Sequence, residues 1–114
     1  MVKTMKRLNR ILDNKDFQRL IKSHQSFSNK SFVVFYQKNN LKRTRVGISI
    51  GVKVGGAVMR NKVKRQIRMM TSQLLSLDNS IDIVIMVRSV YQKLDYKTNK
   101  EELAKLFKKI NEVD

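Results

Sequence analysis

Between Arg45 and Leu74 the spacing of the apolar residues changes once, and that change restricts the stretch to a strand, a tight turn and a helix. In RVGISIGV, residues 45–52, Val46, Ile48, Ile50 and Val52 alternate with Gly47, Ser49 and Gly51, the period-two pattern of a strand with one apolar face. Gly55-Gly56 interrupts the pattern. From about Val58 the apolar positions Val63, Ile67, Met70 and Leu74 step by four, three and four, which lines one buried stripe of a helix. The second face of the strand carries only glycine and serine, so it leaves room for a ligand or another backbone to come close.

The same stretch holds uncompensated charge. Residues 53–68, KVGGAVMRNKVKRQIR, contain Lys53, Arg60, Lys62, Lys64, Arg65 and Arg68 and no acid. Arg60, Lys64 and Arg68 form an i, i+4 ladder, expected on the side of the helix away from the stripe, with Asn61 and Arg65 beside it. Like charges at that spacing repel, so an anionic partner is expected to offset the repulsion. Between Phe17 and Leu77 there are 13 Lys or Arg residues and no Asp or Glu, and the net charge is +16, so the excess belongs to the folded middle of the chain. Charge of this size points to a polyanion: RNA, DNA or an anionic membrane surface. Membrane is the least favoured. Residues 1–10 are polar and basic without an apolar run, reading as neither a signal peptide nor a spanning helix, and nothing later approaches the ~18 apolar residues of a span. A cytoplasmic protein is expected.

At 114 residues, 41% of them apolar, the chain is read as a single domain over 1–114 with one core. Asp13 or Asn14 can cap a first helix running to about Ser23, with Phe17, Leu20 and Ile21 on one face. SFVVFYQ, residues 31–37, is a strand by its β-branched and aromatic content, preceded by a shorter strand around Gln25 to Ser28 across a turn at Asn29-Lys30. IDIVIMV, residues 81–87, suits a central strand. Thr98 and Glu101 have capping-box spacing before a last helix striped by Leu103, Leu106, Phe107 and Ile110. The order α, two or three β, α, β, α predicts an α+β fold with helices on one face of a small sheet.

Catalytic chemistry has little to draw on. Without cysteine there is no thiolate, disulfide or sulfur metal site, and His24 is the single histidine, beside a turn. A metal-dependent nuclease needs converging carboxylates, and a metal-free one needs paired His or His with Lys. Asp13 and Asp16 are explained by a helix start, Asp78 and Asp82 read as turn residues flanking a strand, and the remaining acids lie in the C-terminal loop and helix. No catalytic and no metal-ligating residue is assigned. Gly55-Gly56 could cradle a phosphate at the helix start, but it lacks the Lys-Ser/Thr ending of a nucleotide-binding loop, and a plain turn is the better reading. Phe17, Phe32, Phe35 and Tyr36 fit a core, with stacking on unpaired bases as the functional alternative.

Gly55, Ala57, Val58, Arg60, Asn61, Lys64, Arg65 and Arg68 closely resemble the RNR motif of the bacterial ribonuclease P protein family. RLNRILDNKDFQRLIK, SNKSFVVFY, RVGISI and IDIVIMVR follow the family's order and spacing, so the resemblance covers nearly the whole chain. It implies an α-β-β-β-α-β-α fold like a domain of ribosomal protein S5, domain 2, with a left-handed β-α-β crossover into the last strand. It implies that the catalyst is a large RNA, with Mg2+ held mainly by that RNA and no organic cofactor. The protein would bind the catalytic RNA and the 5′ leader of precursor tRNA, with no membrane or DNA partner, in the endonucleolytic hydrolysis that makes mature tRNA 5′ ends. By position, the resemblance gives Lys53, Arg60, Asn61, Lys62, Lys64, Arg65 and Arg68 to the catalytic RNA. It gives Phe17, Ile21, Phe35, Arg45 and Ser49 to a leader cleft between the first helix and the sheet. The chain departs from the family at Ile21, where a second cleft aromatic is common, at Val52 for lysine, at Gly56 for asparagine and at His24 for glycine. Ile21 stacks poorly on a base, and the missing lysine removes roughly one phosphate contact. The alternative from another class is a non-enzymatic ribosomal or RNA-assembly protein with an S5-like fold, which would bind precursor and mature tRNA equally.

Overall fold

The computed structural model describes Arg10, residues 13–76 and residues 78–112. Helix α1 (Asn14–Lys22) leads into strands β1 (Ser26–Ser28), β2 (Phe32–Lys38) and β3 (Arg45–Ile50), then helix α2 (Ala57–Leu74), strand β4 (Ile81–Val87) and helix α3 (Tyr96–Asn111). Short 3-10 turns cover Val52–Val54 and Ser89–Lys93. The order is the α-β-β-β-α-β-α that the family resemblance implies. The sheet runs β1-β2-β4-β3, with β4 antiparallel to β2 and parallel to β3, so α2 is the crossover between two parallel neighbours.

Strand β4 sits in the middle of the sheet with both faces covered, which is why its sequence is a nearly unbroken apolar run. On one face Ile83, Ile85 and Val87 join Phe32, Val34 and Val46 against Val63, Ile67 and Met70 of α2 and Leu103, Leu106, Phe107 and Ile110 of α3. On the other, Val84 and Met86 meet Leu20 and Phe17 of α1, together with Phe35. The helices therefore divide between two faces instead of sharing one. An amphipathic stripe shows that α1 buries one side, but not which side of the sheet receives it. Inside the larger core Ser31 Oγ donates to Asn99 Oδ1 (2.9 Å) and Asn99 Nδ2 donates to the Tyr91 carbonyl (2.9 Å), a buried polar pair that ties α3 to the start of β2.

Several local expectations change. Strand β3 stops at Ile50; Val52 opens a 3-10 turn and is 77% exposed, while Val54 takes the buried place. Helix α3 begins at Tyr96, where the Asp95 carboxylate accepts from the Thr98 N–H (2.8 Å), so Asp95 caps the helix and Thr98 lies inside it. The first helix is capped by Asp13, which accepts from the Lys15 N–H (2.8 Å). His24 has φ +62°, a left-handed conformation that glycine adopts without a Cβ penalty. Gly55 has φ +153°, and a Cβ there would stand 2.9 Å from both the Gln92 amide nitrogen and Met59 Cγ, so this half of the glycine pair is required. Gly56, the α2 cap, has open space around it.

The largest departure is Asp82. It is no turn residue: it lies within β4, its side chain 1% exposed, in register with Arg45 on one side and Gln37 on the other. Arg45 donates to it twice (Nε to Oδ1, 2.9 Å; Nη2 to Oδ2, 2.7 Å), Arg19 once (2.8 Å) and Asn39 once (2.7 Å). Asp16 accepts from Arg45 Nη1 at 3.1 Å. Burial acts to raise the Asp82 carboxyl, but the hydrogen bonds from Arg45 and Asn39 and the charges of Arg45 and Arg19 outweigh it and hold the group below the usual carboxylate range.

Candidate nucleic-acid interface

Helix α2 buries Val63, Ile67, Met70 and Thr71 against the sheet. Asn61, Lys62 and Arg65 are exposed, whereas Arg60, Lys64 and Arg68 are half-buried. The ladder therefore runs along the helix flank instead of the side opposite the stripe. Each i, i+4 step advances about 40° at 3.6 residues per turn, so the row starts next to the buried stripe at Arg60 and winds outward to Arg68. Arg60 Nε is buried without a hydrogen-bond partner. The Arg68 guanidinium is held below its ordinary value by burial first and by the charge of Arg10 second. Lys53 is exposed just ahead of the helix, and no acid lies in the first turn of α2 to oppose an anion at its N-terminus.

What α2 lacks is as important as what it carries. The ion pairs among the described residues join Arg19 and Arg45 to Asp16 and Asp82, and Lys30 to Glu102; none involves Lys53, Arg60, Lys62, Lys64, Arg65 or Arg68. No carboxylate on the described part of the chain seals this surface. Val58, 86% exposed, and Met69, 56% exposed, interrupt the charges with apolar groups able to lie against a sugar or base.

The opposite face of the sheet holds the second group of expected site residues. Phe17 and Phe35 are half-buried and pack with Met86 around Leu20 and Val84. The small-residue face of β3 admits a close neighbour, and that neighbour is Phe17: a Cβ on Gly47 would lie 2.5 Å from the ring Cζ. Ser49 is half-buried on the same strand face, and Ile21 is half-buried on α1. Arg45 lies on this face too, but its guanidinium is held by Asp82 and Asp16, which raise its pKa. Asp82, Asp16, Arg19 and Asn39 are the residues that sequence reasoning missed; a single acid inside the apolar run IDIVIMV was the available signal.

Gly47→Ala is expected to destabilise the fold by about 1 to 3 kcal/mol, because the ring of Phe17 must move off β3. Urea unfolding measures the loss. Adding Phe17→Leu, which vacates that space, should recover part of it; an unchanged midpoint in Gly47→Ala alone would mean that the ring moves freely.

The ribonuclease P family model matches residues 5–111. The chain belongs to the ribonuclease P protein family. It is similar to the ribonuclease P protein component of Mycoplasma mycoides, 41% identical over 108 residues that cover 93% of this chain and 99% of that one. The Streptococcus equi subsp. equi component is 40% identical over 104 residues, covering 91% and 87%. Among solved structures, the Staphylococcus aureus RNase P protein superposes with a TM-score of 0.78 at 34% identity, covering 92% of this chain and 96% of that one. The Thermotoga maritima RNase P protein gives 0.77 at 31%, covering 88% and 96%. Within this family fold, α2 carries the RNR residues on its exposed side and flank, and α1 and the sheet hold Phe17 and Phe35 on the other face of the molecule. Among the described residues no helix is long and apolar enough to cross a membrane, and no three His, Cys, Asp or Glu side chains gather as a metal site.

Proposed function

We propose that this chain is the protein subunit of ribonuclease P and works by gripping RNA, with bond breaking left to groups on the RNA. The observation that carries the reading is the uncompensated basic row of α2 in a member of this family. Half-buried guanidiniums with no carboxylate nearby are already partly stripped of water, so a phosphate oxygen replaces what the fold has removed. Lys53, Asn61, Lys62 and Arg65 extend the contact across the exposed side to the catalytic RNA.

The described residues do not fit a magnesium site. Asp16 and Asp82, the only carboxylates sharing a partner among the described ion pairs, are saturated by Arg19 and Arg45. Magnesium belongs to the RNA in this proposal, and the protein contributes charge neutralisation and alignment.

The 5′ leader of precursor tRNA is assigned to the face between α1 and β3, where Phe17, Ile21, Phe35 and Ser49 offer a half-buried apolar and hydroxyl lining and the Asp82 network fixes Arg45. Reconstitution tests the whole reading. The chain alone should cleave nothing, and adding it to the RNA subunit at low magnesium should restore turnover on precursor tRNA; cleavage by the chain alone would contradict it. Precursor tRNA should bind the assembled enzyme better than mature tRNA, and Phe17→Ala should narrow that difference without moving the cleavage position. Equal binding of the two from the outset would favour a ribosomal or assembly role.

A further inference from the structure

Arg10 stands in an unusual electrostatic position. Its backbone bridges Val46 in parallel register on the outer edge of β3. Bridged residues in a parallel pair point to the same sheet face, and Val46 points to the face covered by α2. Arg10 Nε is buried without a hydrogen-bond partner, as is Arg60 Nε. The charge of Arg10 also acts on Arg68, at the outer end of the α2 ladder, so the two cations share one neighbourhood on this face. None of the ion pairs among the described residues includes Arg10 or Arg68.

Two like charges held near each other cost free energy, and one anion bound by their terminal nitrogens offsets that cost. The planar fork of a guanidinium matches the two free oxygens of a phosphodiester. We propose that Arg10 and Arg68 together hold one phosphate of an RNA backbone, bridging the edge of β3 to α2. Arg60 stands eight residues from Arg68, about 12 Å along the helix axis, so it serves a different phosphate. The flank is thus a track with a grip at each end and Lys64 between them.

The proposal rests on the RNA-binding reading of α2, and the experiment separates the two. Binding of the full chain to the ribonuclease P RNA, and of the assembled enzyme to leader-bearing precursor tRNA, is measured across a salt series for wild type, Arg10→Gln, Arg68→Gln, the double variant and Arg65→Gln. Arg10→Gln should weaken one of the two associations by roughly tenfold and lower its log-log salt slope by about 0.7 to 0.9. The association that loses slope identifies which RNA supplies the phosphate. Because one phosphate is shared, the double variant should lose no more slope than either single variant. Loss of two phosphates' worth of slope in the double variant, or an unchanged slope in Arg10→Gln while Arg65→Gln still lowers it, overturns the shared grip and leaves the α2 reading standing. No change in any variant, Arg65→Gln included, overturns the α2 reading itself. If Arg10→Gln does not fold, Arg10→Lys decides: it should keep the slope and lose affinity, and wild-type affinity in that variant contradicts the two-headed grip.

Discussion

Asp82→Asn should lower the unfolding free energy by about 3 kcal/mol, a large share of the roughly 5 to 15 kcal/mol that holds a domain together. Removing one partner of a buried pair costs about 3 to 5 kcal/mol, because the remaining charges stay desolvated and unpaired. The lower figure applies because Arg19, with its side chain 49% exposed, can turn back to water, whereas Arg45 at 18% cannot do so fully. The same carboxylate gives an acid dependence. Its folded pKa lies below the ordinary value, so the unfolded chain binds a proton more readily than the folded one. The stabilisation is complete above the unfolded carboxylate pKa, near 4, and is lost as pH falls through the folded value. Urea midpoints of wild type should therefore drop below about pH 4, and those of Asp82→Asn should drop less. A loss under about 1 kcal/mol, with unchanged acid dependence, would reduce the network to an ordinary surface pairing.

Replacing Arg60, Lys64, Arg65 and Arg68 together by Gln should weaken binding to the ribonuclease P RNA by about a thousandfold or more, with the fold retained. Each lost charge-assisted hydrogen bond is worth about 1.5 to 3 kcal/mol, so even partial expression of four such losses exceeds that figure. Stability should change little, because Gln keeps much of the aliphatic stem that lies on the helix flank and no intramolecular ion pair is broken. The like-charge repulsion along the ladder also disappears. Circular dichroism and a thermal melt check the fold, and a binding titration checks the affinity. A melted domain would show that these side chains hold the core instead of RNA.

The difference between these two sites explains what the sequence revealed and what it hid. Features that depend on neighbours along the chain were legible: the alternation of β3, the Gly55 break, the stripe of α2, the Asp13 cap and the limits of β4 all follow from local spacing. The basic row of α2 is legible too, because a run of cations without an acid needs no partner to be noticed. Asp82 is not legible, because its meaning lies in Arg45 and Arg19, 37 and 63 residues away, and an isolated acid at a strand end resembles a turn. Phe17 on Gly47 and Arg10 beside Val46 are likewise products of strand register and of the sheet face each helix covers. Sequence periodicity sets which side of an element is apolar; it does not set which element lies against it.

The proposed contact is between α2 and the phosphates of RNA. Its direct measurement is the salt dependence of binding to the ribonuclease P RNA, with wild type and the four-Gln variant compared under identical magnesium. Each phosphate contact contributes about 0.7 to 0.9 to the steepness of the log-log plot, so the variant should be shallower by roughly 3. Parallel plots for the two proteins, whatever their affinities, would contradict the account.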